Sequence, residues 1–430
     1  MSEQSSTSVP PISFSIPVVV RRHATEVATR WWRRDSAYLD HPRTTFAMLV
    51  QYDESIDAHL DGLLVAGSGG LDAVRNALAT DAPDLSADIF AALAFAFLSE
   101  DEAAITSMLA RTDALPGKAW ALDGLFAWHD SPLVVTALTA HLSDANPRYR
   151  DAALAQCHTH RLSGGDHLSA ILTGSTPELV SRALRTAGEC GRVDLLAEVR
   201  AWLDPARRSD PAIRFWGAWT ATLLNGLDEE SLTVLQSFVD QGDSHQPHAL
   251  KLICLSLPQS RVLEYLGKLS QSPLTPELMI KAVGWSGHAG YGNWLIEQMR
   301  VPALAATAAE AFRMITGFDC ERSDAVLASP LGEEQFDAAI KDGYPYPAAD
   351  QVAAWWHDNQ SHYRDDARLF LGRPVSFAWL SEILDHGEQA HRELAALYWS
   401  LLQPGSMLLP TRAHSAIQWL RLQQLKGSTL

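Results

Sequence analysis

The 430-residue chain is 47% hydrophobic and 20% charged, the balance of a folded protein and not of a disordered or collagen-like one. Lys plus Arg total 34 against 51 Asp plus Glu, and the resulting net charge of −17 disfavours nucleic-acid binding. Four Cys make no disulfide framework and no apolar run is long enough to span a membrane, so a reducing, cytoplasmic setting with no membrane partner is expected.

Residues 1–20 read as a flexible N-terminal segment: a Ser- and Pro-rich stretch, then Ile16–Val20 ahead of Arg21 and Arg22. Apolar residues before basic ones reverse the order of a secretory signal. Arg21, Arg22, Arg30, Arg33 and Arg34 surround Trp31 and Trp32 and are expected on the outer face of a first helix, with one of the two indoles reaching the core. In the next apolar run Asp57 and Asp61 are i, i+4 neighbours on a helix while His59 points elsewhere. No third ligand is local, so a solvated helix face is favoured over a metal site. The glycines of Ala66–Gly70 follow no strand and precede no Lys-Ser or Lys-Thr, which argues against a phosphate loop.

From residue 83 the chain is punctuated by proline. Eight of the prolines, at 83, 116, 147, 177, 211, 247, 276 and 302, stand at intervals of 26 to 36 residues, mostly just ahead of an apolar run with helical spacing. Proline suits the first helical turn because its missing N–H would lack a partner there. Asn146, Thr176, Asp210 and Thr275 stand before four of these prolines as candidate caps. Residues 176–198 align without gaps on 275–297, with nine of 23 positions identical. Each unit has room for two helices. In the first, Leu179, Ala183, Leu184 and Ala187 form the inner stripe, Gly188 and Gly191 break the helix, and Val193 to Leu203 returns. The following pairs are Pro211–Leu224 with Leu232–Val239, and Pro247–Leu257 with Arg261–Leu269. A basic residue soon after cap-Pro-x-apolar, as at Arg148, Arg150, Arg182 and Arg214, resembles the second helix of a HEAT unit. The fold expected is all-α, a HEAT-like helical-repeat solenoid over residues 21–317.

The proline clock stops after Phe318. Residues 318–347, with the acidic Gly332–Asp337 segment and Gly343–Pro347, read as an irregular connector. Helical patterns resume at Ala348–Tyr363, Ser376–Leu384, Glu388–Leu402 and Ser415–Leu425, so 348–430 is expected to be an irregular helical C-terminal cap. The cysteines at 157, 190, 254 and 320 are spaced near multiples of the repeat and are expected in small buried slots. His158 and His160, two apart, diverge on a helix and are not assigned as metal ligands. No catalytic residue, cofactor or metal is assigned.

Three segments resemble a family of bacterial HEAT-repeat proteins encoded in type VI secretion neighbourhoods. Tyr52–Leu63 is similar to its Asp-Glu-Arg-…-Ala-His-Leu-Asp-Gly-Leu stretch, with Ser55 in place of the arginine. Glu310–Gly317 is similar to Glu-Ala-Phe-Ser-x-Ile-Thr-Gly, and Leu369–Val375 resembles Tyr-Leu-Leu-Gly-Arg-Pro; Tyr346-Pro347 and Trp355-Trp356 also match. The resemblance implies a non-enzymatic protein-binding scaffold, a chaperone, co-chaperone or adaptor in effector loading. Its partner would be a secreted effector, that effector's chaperone or a secretion adaptor, and the acidic charge favours a basic one. An immunity protein is the alternative, and a helical-repeat DNA-acting enzyme a weaker one because it needs a cationic groove. The candidate partner-binding residues are Asp57, His59, Asp61, Trp216, Trp285, Glu310, Trp355, Trp356 and Arg373, drawn from these motifs and from tryptophans on repeat helices.

Overall fold

The computed structural model describes residues 15–40, 43–79, 84–113, 115–204, 210–269, 274–326, 346–363 and 366–427. The fold is all-α: the described residues form 22 α-helices, a few 3-10 turns and one two-residue-strand hairpin. No described helix is long and apolar enough to cross a membrane. The segment 1–14 and most of the expected connector, 327–345, lie outside the described residues. The chain divides into two compact units, Met1–Asp35 with Leu49–Ala137 and Ser36–Met48 with Leu138–Leu430.

The helices lying wholly or mostly in the first unit are α1 (Pro17–Asp40), α2 (Phe46–Val65), α3 (Ser68–Ala77), α4 (Ser86–Leu98), α5 (Glu102–Thr112), α6 (Lys118–Trp128) and α7 (Pro132–His141). Helix α1 begins at Pro17, so Val18–Val20 belong to its first turn and the expected flexible segment ends earlier than residue 20. Helix α4 has no charge between Ile89 and Leu98 and is buried almost all round, with α3, α5 and α6 packed on it. Trp31 is the indole that reaches the core, stacked on Phe90 at 4.4 Å, while Trp32 is 51% exposed. Arg34 departs from the expected outer face: its Nε donates to the wholly buried Asp53 at 2.6 Å. A guanidinium cannot be buried without such a partner.

The second unit carries the repeats. Helices α8 (Pro147–Ala155), α10 (Pro177–Glu189), α12 (Pro211–Asn225), α14 (Gln246–Ser256), α16 (Pro276–Ser286) and α18 (Ala305–Thr316) each pack on the next to form one layer. Between them in sequence come α9 (Gly165–Gly174), α11 (Leu196–Ala201), α13 (Glu229–Gln241), α15 (Gln259–Leu269) and α17 (Gly292–Met299), packed against the layer's helices. Pro147, Pro177, Pro211, Pro247 and Pro276 sit at the first or second helical position. Asn146, Asp210 and Thr275 accept backbone N–H bonds at 3.0, 2.8 and 3.2 Å, whereas Thr176 makes no side-chain cap bond. The two aligned segments fold alike: helix, short 3-10 turn, second helix. Gly191 turns the chain at φ +65°, but Gly188 lies within α10 and does not break it. It is glycine because a Cβ there would stand 2.8 Å from the Trp219 ring. All four cysteines are buried.

The remaining elements are α19 (Ala349–Asn359), the hairpin β1 (Leu369–Phe370) and β2 (Arg373–Pro374), α20 (Phe377–His386), α21 (Gln389–Leu402) and α22 (Ser415–Gly427). Helix α19 packs on α17 and α18, with Trp355 and Trp356 against Phe312 and Phe318, whereas α21 lies against α12 and α14. Tyr363 and residues 366–421 run back along the C-terminal ends of the layer. Helix ends leave carbonyls without intrahelical donors, and this return segment supplies the donors. Tyr363 Oη donates to Thr316 O at 2.8 Å, Leu371 N to Met314 O at 2.6 Å and Leu369 N to Gly287 O at 2.9 Å. The Arg368 guanidinium donates to Leu255 O and Leu257 O. Gly405 N donates to Leu223 O and Leu408 N to Glu189 O, both at 2.8 Å, and Arg421 Nε reaches Thr159 O at 2.8 Å. Tyr363, Arg368, Leu369 and Leu371 thereby reach the ends of α18, α16 and α14, and Gly405, Leu408 and Arg421 then reach those of α12, α10 and α8 in turn.

A basic, tryptophan-lined row as candidate functional site

Inside an acidic chain, helices α10, α12, α14 and α16 bring cations and indoles together. The inner stripe of α10 is buried, which leaves Arg182 and Arg185 on its partly exposed side. Arg182 Nε pairs with Asp151 at 3.0 Å. Arg185 pairs with Glu189 at 2.8 Å and lays its guanidinium 4.8 Å over the Trp216 ring of α12. Trp216 in turn meets Trp219 edge to face at 5.4 Å. The buried Phe215 carries the row onward, with the His245 ring at 4.6 Å and the His248 ring at 6.3 Å. One turn along α14, Lys251 Nζ stands 5.4 Å over Trp285 of α16.

Lys251 is half-buried, and neither it nor the exposed Lys281 has a carboxylate at ion-pair distance among the described residues. Burial, and then the Lys281 charge, pull the Lys251 ammonium below the ordinary lysine range. Burial also lowers His248, with Lys251, His245 and Arg185 acting in the same direction. Chemically the row offers the partly exposed indoles of Trp216 and Trp219 and the Lys251 ammonium, which stands over the buried Trp285.

Two of the nine sequence candidates, Trp216 and Trp285, belong to this row. The others are dispersed. Asp57 accepts from Trp128 Nε1 at 3.1 Å, His59 Nδ1 lies 2.9 Å from His23 Nδ1, and Asp61 is exposed, so the i, i+4 aspartates share no task. Burial, then Arg30 and His23, lower the His59 imidazole. Trp355 lies 4.3 Å from Phe318, and the buried Trp356 lies 5.5 Å from Phe312; both are packing residues. Arg373 is exposed on the hairpin, 3.2 Å from Glu382 and 4.3 Å over Trp379. Glu310 enters an ion network: it lies 2.6 Å from His391 Nε2 and 3.7 Å from Arg313, which in turn holds Glu388 and Asp319.

The sequence reading missed Arg185, His248, Lys251 and Lys281 as site residues. Lys251 and Lys281 stand four and five residues after Pro247 and Pro276, much as Arg182 follows Pro177, but that pattern was read only as a repeat signature at the arginines; Arg185 and His248 lay outside it. Arg43, Asp319, Glu388 and His391 of the ion network carried no local signal, since the partners are as many as 345 positions apart, as Arg43 and Glu388 are. No group of three or more potential metal ligands occurs among the described residues. Comparison with known protein families, curated proteins and solved structures gives no match for this chain.

Proposed function

We propose that the chain is a non-enzymatic scaffold that holds another protein, acting as a type VI secretion accessory factor, a chaperone, co-chaperone or adaptor in effector loading. The observation that carries this reading is the row from Arg185 through Trp216 and Lys251 to Trp285. It needs four helices from successive repeats, so it exists only in the assembled stack. Tryptophan and arginine are the side chains on which interface energy concentrates. The net charge of −17 draws a basic partner from a distance. Within that field the row is the local exception, able to take carboxylates of the same partner and so fix its orientation.

The test is co-purification of the tagged protein from its native host. An effector, its chaperone or a secretion adaptor should come down stoichiometrically with the wild type and be lost with the Trp216→Ala/Lys251→Ala variant. Recovery of the chain alone, or equal capture by the variant, would count against the reading. Deleting the gene should abolish export; sensitivity to a neighbouring toxin with export intact would instead identify an immunity protein.

A further inference from the structure

One interface within the row departs from the rest of the repeat. Helix α10 packs on α8 as α16 packs on α14, and each of the four has a proline at its first or second position. Counted from those prolines, Asp151 of α8 and Lys251 of α14 share one position, and Arg182 of α10 and Lys281 of α16 share another. Stacked repeats place equivalent positions in equivalent surroundings. Between α8 and α10 the two positions hold an ion pair, with Arg182 Nε 3.0 Å from Asp151 Oδ1. Between α14 and α16 they hold two ammoniums.

Lys251 Nζ lies 5.4 Å over the Trp285 ring, and Lys281 precedes Trp285 by one turn on α16, so both side chains gather about one indole. The Lys281 charge is close enough to act on Lys251. Neither ammonium has a carboxylate at ion-pair distance among the described residues, not even Glu277, which stands one turn before Lys281 on α16. Two like charges repel, and more strongly where one of them is half-buried. A position that elsewhere brings its own carboxylate lacks one here, and an anion from outside the chain would supply it. The type of cation selects the anion. A carboxylate is matched best by the planar guanidinium fork, whereas an ammonium is a point charge that suits phosphate. A phosphate monoester carries a charge of about −1.5 to −2 near pH 7 and several acceptor oxygens, enough for both lysines at once.

We propose that Lys251 and Lys281 form a binding site for a phosphate monoester, which takes the place that the Asp151 carboxylate holds between α8 and α10. The inference rests on the scaffold reading for the role of the row, and it narrows the anion at this lysine pair from a carboxylate to a phosphate. The ester is carried either by a free small molecule or by a phosphorylated side chain of the held protein, and the group recognised is the same in both.

The experiment is calorimetric titration and thermal melting of the full chain with O-phospho-L-serine, inorganic phosphate, succinate and acetate as probes. Both phosphates should bind saturably and raise Tm, with succinate and acetate about tenfold weaker or more. Lys281→Met, at an exposed position, should weaken phosphate binding by about tenfold or more while leaving the ligand-free Tm unchanged. Lys281→Glu should abolish binding yet raise the ligand-free Tm, because it returns to this interface the carboxylate that α8 and α10 have. A lysine kept only for solubility predicts neither change. Absence of saturable binding of either phosphate by about 10 mM, equally tight binding of succinate or acetate, or binding indifferent to both variants would overturn the proposal. Partner capture without phosphate binding would leave the scaffold reading standing and remove this one; phosphate binding that both variants lose, without any partner capture, would do the reverse. Phosphatase treatment of the host extract before capture then assigns the source: loss of capture places the ester on the partner, and unchanged capture places it on a free molecule.

Discussion

Arg313 and Glu388 meet fork to fork, both guanidinium Nη atoms 2.8 Å from the two carboxylate oxygens. One residue lies on α18 and the other immediately precedes α21, so this pair ties the last helix of the layer to the return segment. Both side chains are largely shielded, 13% and 7% exposed. Asp319 adds a second carboxylate to Arg313 at 3.2 Å, and Arg43 approaches Asp319, Glu321 and Glu388. Removing one member strands a buried charge. Glu388→Ala should therefore lose about 3–5 kcal/mol of unfolding free energy. An Arg313→Met/Glu388→Leu double variant should lose less than the sum of the single changes, as denaturant unfolding of the four proteins would report.

The same pair sets a pH dependence. Burial alone would raise the Glu388 carboxyl, but its bonds to Arg313, the Arg313 charge and then His391 and Arg43 hold it below the ordinary value of 4.5. Asp319 is likewise held below 3.8, against burial, by Arg43 and Arg313. Folded values below unfolded ones mean that the stabilisation is complete above about pH 4.5 and is lost as pH falls through the lower folded values. Thermal melting between pH 7 and pH 3 should show a steeper acid loss for the wild type than for the Arg313→Met/Glu388→Leu variant. Parallel curves would remove these carboxylates from the account.

Two glycines in helices should respond with opposite signs to the same change. Gly267 in α15 has nothing within 4 Å of a Cβ built on it, so Gly267→Ala should stabilise by about 0.5–1 kcal/mol through helix propensity alone. At Gly188 the Cβ would meet Trp219 at 2.8 Å and Thr220 Oγ1 at 2.9 Å. Gly188→Ala should instead destabilise by about 1–2 kcal/mol, because overpacking exceeds the propensity gain. Chemical denaturation of the two variants checks both signs.

What could be read from the sequence was the part governed by local chemistry. Pro177 and Pro276 mark helix starts because proline loses nothing there, and the 99-residue self-match holds in three dimensions. Non-local choices left no trace in any window. The course of the return segment depends on which carbonyls α14 and α16 leave open, and Arg368 gives no hint in sequence that it faces Leu255 and Leu257. Arg34 looked like one more surface cation until Asp53 was placed opposite it. Two segments noted for resemblance, Glu310–Gly317 and Leu369–Val375, prove to be neighbours: Gly372 N donates to Ile315 O at 3.1 Å, and Gly317 and Gly372 both adopt positive φ at this crossing. Their glycines therefore have a packing reason, whatever the chain's relatives. The row was half legible, since Trp216 and Trp285 stood out by type while Lys251 did not.

Lys251 ties stability to the proposed role. A half-buried ammonium stacked on Trp285, with the like charge of Lys281 nearby and no carboxylate at ion-pair distance among the described residues, is less stable there than in water. An unbranched apolar side chain of similar length keeps the contact with the indole and removes the desolvation cost. Lys251→Met should therefore raise stability by about 1 kcal/mol, whereas Lys281→Met, at an exposed position, should stay within about 0.5 kcal/mol of the wild type. If Lys251 is kept charged to receive an anion, the more stable Lys251→Met protein should also be the one that captures less partner. A variant that is both more stable and fully competent in capture would remove Lys251 from the interface, and the row would then rest on Arg185 and Trp216.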